Sequence, residues 1–111
     1  MVWNNKSFAL NNLSKFSEAI ECCDIAISIN PKNHLALKNK GFALHKLQKY
    51  QNAIDFYDQA SSIFPNPQIL KLKADSLSQL GIKSEAKILY MAALQQGSTE
   101  KDQIVKQLSK I

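Results

Sequence analysis

The side chains that could act as nucleophiles, bases or metal ligands are few in this sequence, and their spacing suits none of these roles. The two cysteines, Cys22 and Cys23, are adjacent, and the two histidines, His34 and His45, lie farther along the chain. This spacing pairs no nucleophile with a base, and no glycine-rich loop is present to hold a phosphate. A zinc site would need more ligands at finger-like intervals. We therefore expect no enzyme activity, no bound metal and no cofactor.

The adjacent cysteines also indicate the compartment. A disulfide between neighbouring residues closes a strained ring, so we expect both thiols to stay free. Free thiols are typical of a reducing compartment. No stretch of the sequence approaches the roughly 18 apolar residues that cross a bilayer, and its start lacks the apolar core of a signal peptide. The sequence predicts a cytoplasmic protein without a membrane segment.

The elements that position these residues are indicated by an internal repeat. Ala19 recurs as Ala53 after 34 residues and as Ala86 after a further 33. Other residues return at the same steps: Leu10, Leu44 and Leu77; Leu13, Leu47 and Leu80; Ala26, Ala60 and Ala93; and the opening residues Trp3, Leu37 and Leu70. Repeats of this length are typical of stacked helical units.

Each unit has the pattern of two helices. Its apolar residues follow a helical period rather than the alternation of a strand, and the first helix is expected from about Val2 to Leu13. Asn33 and the pair Asn66–Pro67 are good N-terminal caps. Gly81 suits the turn inside the third unit, where a left-handed residue ends a helix. The chain therefore predicts three helical hairpins.

A small residue on the first helix of each unit matches a larger one on the second. Two helices approach to roughly 8–10 Å only where small side chains face large ones. The small residues are Ser7, Gly41 and Ala74, and the larger ones are Cys23, Tyr57 and Tyr90. We expect Cys23 to be a buried core residue, because a free thiol behaves as a small apolar group.

The last residues of the chain form a seventh, amphipathic segment. Thr99 and Asp102 have the spacing of a capping box, and an apolar stripe follows at Ile104, Val105, Leu108 and Ile111. A terminal helix of this kind covers the open apolar face of the last hairpin in a stack of repeats. We expect residues 99–111 to be a capping helix.

The repeated residues resemble the signature of the tetratricopeptide repeat, W-x2-L-G-x2-Y followed by A-x3-F, A and P over 34 residues. They are Trp3, Ser7, Leu10, Ala19, Cys23, Ala26 and Pro31 in the first unit, and Leu37, Gly41, Leu44, Ala53, Tyr57, Ala60 and Pro65 in the second. Lysine replaces the leucine beside the glycine in all three units, at Lys6, Lys40 and Lys73. We expect these lysines to lay their methylene groups along the helix interface and to keep the ammonium in solvent.

The resemblance implies an all-α fold, a right-handed α-solenoid of three antiparallel helix hairpins with a capping helix. As one domain over residues 1–111, it would have repeats at 1–33, 34–66 and 67–98 and the cap at 99–111. In this family the first helices of the repeats line a concave groove that holds an extended peptide or a partner's helix. The function implied is a non-catalytic adaptor or scaffold for protein–protein interaction.

The groove positions implied by the resemblance combine aromatic, amide and basic side chains. They are Asn4, Phe8, Asn11, Asn12, Leu35, Lys38, Asn39, Phe42, His45, Lys46, Lys71, Asp75, Ser78 and Gln79. Phe8 and Phe42 could anchor a ligand side chain or tuck against a neighbouring helix. The asparagines could donate to and accept from a peptide backbone. Positive charge increases toward the C-terminal half, which favours an acidic ligand.

One ligand of the family can be tested directly against the sequence. Co-chaperone members bind the C-terminal carboxylates of heat-shock chaperones with Lys and Asn in the first groove helix, Asn in the second, and Lys and Arg in the third. The matching positions here are Asn4, Phe8, Asn39, Gln68 and Leu72. Since Asn39 alone matches, we expect no carboxylate clamp of this type.

Two alternatives remain open from the sequence. The net charge of +5 is compatible with binding RNA or another polyanion. All fourteen basic residues are lysine, however, and without arginine there is no bidentate contact to guanine or phosphate, so we do not expect nucleic acid. The other alternative is a self-associating fragment of a larger repeat protein, because a short solenoid has exposed ends.

Overall fold

The computed structural model describes residues 2–110. Within them the chain consists of α-helices joined by turns and loops, without a strand. The helices are α1 (Val2–Asn12), α2 (Phe16–Ile29), α3 (His34–Lys46), α4 (Tyr50–Ile63), α5 (Pro67–Gln79), α6 (Lys83–Gln95) and α7 (Lys101–Lys110). The helical period of the sequence thus predicts the secondary structure correctly. None of these helices is both long and apolar enough to span a bilayer.

The helices form three hairpins stacked in chain order. The hairpins are α1–α2, α3–α4 and α5–α6; α2 packs on α3, α4 packs on α5, and α7 packs on α6. Because each hairpin contacts its neighbours in the stack, the molecule is elongated, with dimensions of 38 × 24 × 21 Å. The predicted all-α solenoid of helix hairpins is confirmed.

The predicted pairs of small and large residues form the centre of each hairpin. Cys23, Tyr57 and Tyr90 are all completely buried. A Cβ atom on Gly41 would lie 2.6 Å from the Tyr57 ring, so α3 and α4 are too close for any other residue at this position. The glycine is therefore required by close helix packing, since its backbone is ordinary α-helix.

Both cysteines are free, as the sequence predicts, and both are buried, which the sequence predicts for Cys23. Burial raises the pKa of the Cys23 thiol to about 11. The thiolate is the reactive form of cysteine, so at neutral pH Cys23 is an inert part of the core.

The helix α1 is held to the second repeat by hydrogen bonds between side chains. Asn4 and Asn33 form a reciprocal pair, in which each Nδ2 donates to the other Oδ1 at 3.0 Å. Asn39 Nδ2 donates to Ser7 Oγ at 3.1 Å, and Asn11 Nδ2 donates to the Asn39 carbonyl at 3.1 Å. The fully buried positions of α1 are all polar, namely Asn4, Ser7 and Asn11. Its attachment thus depends on matched amides as well as on apolar contact.

The turn inside each hairpin requires a left-handed residue. The positive φ angles are 60° at Ser14, 65° at Gln48 and 81° at Gly81, at the same position of the three repeats. Glycine adopts this conformation without a steric penalty, whereas residues with a Cβ do so at a cost. The first two repeats therefore have a strained residue where the third has glycine.

The helix ends follow the predicted caps, with one correction. At the start of α3, Asn33 Oδ1 accepts from the Ala36 N–H at 3.2 Å. At the start of α5, Asn66 Oδ1 accepts from the Ile69 N–H at 3.1 Å, and Pro67 lies in the first turn of the helix. Before α7, the hydroxyl of Ser98 accepts from the Glu100 N–H at 3.2 Å. This bond lies within the turn before α7, and neither bond of the predicted capping box of Thr99 and Asp102 is formed among residues 2–110, so that prediction is wrong.

The helix α7 covers the third hairpin with part of its predicted stripe. Ile104 is completely buried among residues of α5 and α6, and Leu108 packs against the same cluster. Val105 is 56% exposed, so it lies at the edge of the covered face. The last predicted member of the stripe, Ile111, lies outside the described residues.

A glycine at Gln48 should stabilise the protein. Gln48→Gly removes the steric penalty of a Cβ at φ 65° and is expected to raise the free energy of unfolding by about 0.5 kcal/mol. Urea denaturation followed by circular dichroism measures the change. The matched control is Gly81→Ala, where no atom lies within 4 Å of the added Cβ, so that strain alone should lower stability by about 1 kcal/mol. Equal stability of all three proteins would contradict the assignment of strain to this turn.

The asparagine pair should make Asn33 more important than an ordinary helix cap. Asn33→Ala removes the α3 cap and leaves the buried Asn4 amide unpaired, so we expect a loss of about 2–3 kcal/mol. Asn66→Ala removes a cap of the same geometry without such a pair and should cost about 1 kcal/mol. Thermal and urea unfolding of both variants measure the difference. Equal losses would show that the reciprocal pair contributes nothing.

Candidate functional site

The first helices of the three repeats line one cleft. It has a volume of about 350 Å³ and lies between α1, α3, α5 and the start of α7. Its lining residues are Phe8, Asn11, Asn12, Lys38, Asn39, Phe42, Lys46, Gln68, Lys71, Leu72, Glu100 and Gln103. We call this cleft the groove. It gathers most of the site residues proposed from the sequence at one place.

Two phenylalanines form the aromatic part of the groove. Phe8 is 58% exposed, and Phe42, at the same position of the next repeat, is half-buried. The Lys46 ammonium lies 5.5 Å from the centre of the Phe42 ring, within the range of a cation–π contact. The corresponding position in the third repeat is Asp75, so the aromatic side chains of the groove come from the first two repeats only, and the third adds Leu72.

The lysines of the groove differ in how far they are already paired. Lys71 Nζ lies 3.0 Å from Asp75 Oδ2 and 3.6 Å from Glu100 Oε2. Lys38 Nζ donates to Gln68 Oε1 at 3.4 Å, a neutral partner. Burial lowers the pKa of the Lys38 ammonium, and the negative charge of Glu100 partly opposes this shift. An additional carboxylate would therefore stabilise the Lys38 ammonium more than that of Lys71.

Glu100 and Gln103 enter the groove although the sequence did not single them out. Glu100 lies in the turn before α7, and its Oε2 is covered without a hydrogen-bond partner among the described residues. The sequence pattern predicts that α7 caps the third hairpin, but it does not show that the turn reaches back to α3 and α5. The one indication in the sequence is that Glu100, an acidic residue, follows the predicted cap residue Thr99.

Three of the asparagines proposed as ligand contacts use their amides inside the protein. Asn4, Asn11 and Asn39 are buried and bonded to residues of neighbouring helices. The Oδ1 atom of Asn11 is buried without a partner among residues 2–110, and the bonds of Asn39 use its Nδ2 and its backbone carbonyl but not its Oδ1. The expectation of a free amide is therefore wrong for Asn4, whose Nδ2 and Oδ1 are both bonded to Asn33, whereas Asn39 still lines the groove. Asn12 is exposed and lines the groove.

His45, Asp75 and Ser78 lie outside the lining of the groove and belong to the packing of α3, α5 and α6. The Nδ1 atom of His45 lies 2.8 Å from the Ser76 hydroxyl. Burial lowers the pKa of His45, and the nearby charge of Asp75 opposes the shift. Asp75 accepts a hydrogen bond from the buried Tyr90 hydroxyl, and Ser78 is half-buried. Of these residues, Asp75 still influences the groove through its ion pair with Lys71.

The remaining candidates give no sign of a metal centre. Within residues 2–110, no group of three or more His, Cys, Asp or Glu side chains is arranged to hold a metal ion.

His34 stacks on Phe64 with ring centres 4.8 Å apart. Leu35 and Gln79, two further groove positions proposed from the sequence, are exposed and do not line the groove.

Solved structures with the same fold include domains that bind peptides. The second TPR domain of the human RPAP3 protein, in complex with the HSP70 peptide SGPTIEEVD, is 27% identical, with a TM-score of 0.86 over 97% of this chain and 90% of that chain. The first TPR domain of human RPAP3 has a TM-score of 0.90 at 21% identity, over 98% and 86%.

A bacterial structure has the same fold at lower identity. The type III secretion chaperone SycD of Yersinia enterocolitica, in complex with a peptide of the translocator YopD, has a TM-score of 0.87 at 15% identity, over 97% of this chain and 88% of that chain. Among curated proteins, no sequence matches this chain significantly.

Two sequence models of the tetratricopeptide repeat match the chain, one over residues 2–33 and the other over residues 34–67. Together they span more than half of the sequence, and they contain the first two hairpins with their small and large residue pairs. With the matching fold of the whole stack, these findings show that the chain belongs to the tetratricopeptide repeat family.

Proposed function

We propose that this protein is an adaptor that binds an acidic peptide segment of another protein in the groove. Tetratricopeptide repeats are a family of non-catalytic interaction modules. The observation that carries the proposal is one cleft of about 350 Å³ that combines two phenylalanines with three lysines. A concave site of this composition suits a short segment with one bulky apolar residue and at least one carboxylate.

The apolar residue of the ligand would contact Phe8 and Phe42. Phe8 is well exposed, whereas Phe42 is half-buried. The Phe8 ring therefore has more solvent-accessible surface that a ligand could bury. Buried aromatic anchors usually supply a large share of the binding energy at an interface. The amide of Asn12, which is exposed beside them, can bind the backbone of the segment.

The carboxylate of the ligand would approach Lys38 and Lys46. Lys71 already has two acidic partners, whereas Lys38 has a neutral one and Lys46 lies over an aromatic ring. A carboxylate near Lys38 would restore the stabilisation that burial takes from its ammonium group. Complementary charge of this kind raises the association rate and selects among partners.

The peptide is expected to differ from the EEVD peptide bound by the human RPAP3 domain. In this chain the Asn4 amide is engaged inside the fold, Phe8 and Leu72 are apolar, and Gln68 accepts from Lys38. With Asn39 as the one match, the five positions cannot supply the set of Lys, Asn and Arg side chains that the carboxylate clamp requires. We propose an internal acidic segment as ligand instead of a chain terminus.

Further parts of the proposal concern class and location. We propose that the protein acts without catalysis, as one domain of three repeats and a cap, and that it is cytoplasmic, which the two free thiols support. Binding of RNA has less support, because Asp75 and Glu100 stand beside Lys71 and would repel phosphate.

The groove can be tested with a library of random nine-residue peptides displayed on phage. The selected peptides are expected to be rich in Asp and Glu around one bulky apolar residue. In fluorescence anisotropy, Lys38→Ala and Phe42→Ala should each weaken their binding about tenfold. Lys87→Ala, which removes an exposed lysine of α6, is the matched control and should have no effect. The peptide SGPTIEEVD should bind more weakly than the selected peptides.

Selected peptides that bind equally well to the Lys38→Ala and Phe42→Ala proteins would contradict the proposed site. Selection of basic or uncharged peptides would contradict the proposed ligand chemistry while leaving the site in place.

Glu100 should act as a competitor for the ligand's carboxylate. Glu100→Gln removes a negative charge beside Lys38 and Lys71, while Asp75 still pairs with Lys71. We expect the affinity for acidic peptides to rise about threefold or more at low salt, and the gain to shrink as salt is added. The control is Asp102→Asn, an equal change of charge at an exposed residue of α7 that does not line the groove. An equal gain in both variants would reduce the effect to net charge.

A further inference from the structure

An ion pair of the same type joins the second repeat to the first and the third repeat to the second. Lys40 Nζ in α3 lies 2.6 Å from Asp24 Oδ1 in α2, and Lys73 Nζ in α5 lies 2.7 Å from Asp58 Oδ1 in α4. The two lysines hold the same position of consecutive repeats, and so do the two aspartates. The first helix of a repeat is thus recognised by a carboxylate on the second helix of the preceding repeat.

The first repeat has the lysine of this pair without the carboxylate. Lys6 is exposed in α1 at the position of Lys40 and Lys73, and none of the ion pairs among residues 2–110 involves it. Its ammonium lies 5.6 Å from the centre of the Trp3 ring. The charge that serves as a docking group in the later repeats is therefore available to a partner.

The residues around Lys6 occupy positions whose equivalents in the second and third repeats are covered. In α3 the corresponding side chains Ala36, Asn39 and Ala43 are buried, and in α5 Ile69 and Ser76 are buried with Leu72 half-covered. In α1 the same positions are exposed, and Val2 is 75% exposed. We call these four residues of α1, Val2, Asn5, Lys6 and Ala9, the N-terminal face. It combines the apolar Val2 and the small Ala9 with the polar Asn5 and Lys6.

A shallow cavity continues the N-terminal face toward the end of α2. It has a volume of about 160 Å³ and is bordered by Val2, Trp3, Ala26 and Ile29 with three asparagines. Ile29 is 70% exposed. An apolar side chain of a docked helix could fill this cavity and cover Val2 at the same time.

The helices that pack against the later repeats show what the partner needs. On α2, Ile20 and Ile27 are half-buried against the second repeat, and Asp24 lies between them. On α4, Ile54 is buried in the third repeat's core and Asp58 follows four residues later. The recurring pattern is an apolar residue followed four positions later by a carboxylate, on one face of a helix.

A second copy of this chain lacks that pattern at its own free end. The residue of α6 that corresponds to Asp24 and Asp58 is Met91, and α7 packs on α6. Two N-terminal faces meeting each other would bring two Lys6 ammonium groups together. Charge therefore disfavours a second copy as the occupant of this face.

We propose that the N-terminal face docks an amphipathic helix of another protein, with a carboxylate four residues after an apolar residue. The carboxylate pairs with Lys6, and the apolar residue covers Val2 and Ala9. This surface is separate from the groove, so both can be occupied at once. The helix adds to the stack in the way that α2 adds to α3.

The probe is a synthetic peptide with the sequence of residues 16–29, the helix that already packs on α3, carrying Cys22→Ala and Cys23→Ala to prevent oxidation. Its amide shifts on isotope-labelled full-length protein should fall on α1 between Val2 and Ala9. The peptide change Asp24→Asn should weaken binding about fivefold, and the equal charge change Glu21→Gln should not. Lys6→Glu in the protein should weaken binding, and the peptide change Asp24→Lys should restore it.

Three results would overturn the proposal. Equal losses with Asp24→Asn and Glu21→Gln would show attraction by net charge alone. Shifts at Phe42 and Lys38 instead of α1 would place the peptide in the groove. Sedimentation that shows a dimer whose stability changes with Lys6→Glu would assign the N-terminal face to a second copy. Circular dichroism of Lys6→Glu checks that this exposed change leaves the fold intact.

Discussion

The close approach of the two helices in each hairpin is the constraint on which the rest of the structure depends. Gly41 leaves room for the Tyr57 ring, Ala74 for Tyr90, and Ser7 for the smaller Cys23. Because the second helix stands so near the first, the first helices of all repeats can line up on one side. The groove is the outcome of this packing, and its side chains are those that the interlocked pairs leave facing outward.

The groove is electrostatically divided although the chain as a whole is basic. Lys71 is held by Asp75 and Glu100, so the third repeat adds little free positive charge there, whereas Lys38 and Lys46 remain without an acidic partner. Net charge is therefore a poor guide to the ligand, and position decides which lysines can act. The lysines of the repeat interfaces, Lys40 and Lys73, are likewise occupied by aspartates.

The sequence predicts most of the fold, because the packing of two helices within a hairpin follows from residue spacing along a short stretch of chain. Gly41 and Tyr57, for example, face each other across the second hairpin. It predicts less of the site. Whether an asparagine faces the groove or a neighbouring helix depends on how α1 packs on the second repeat, and for this reason Asn4, a predicted groove residue, is paired with Asn33 instead. Glu100 reaches the groove through the turn before α7, a long-range arrangement that no periodicity encodes.

The polar attachment of α1 has a consequence for motion in the native state. Hydrogen bonds between amides lose their strength with small changes of angle, whereas apolar contacts tolerate sliding. The first hairpin is held at Asn4, Ser7 and Asn11 by such directional bonds, so a rotation of α1 against α3 breaks several of them together. Since Phe8 belongs to this hairpin, any ligand that contacts it draws on a local ordering equilibrium, and occupancy of the groove is registered as slower exchange at the beginning of the chain.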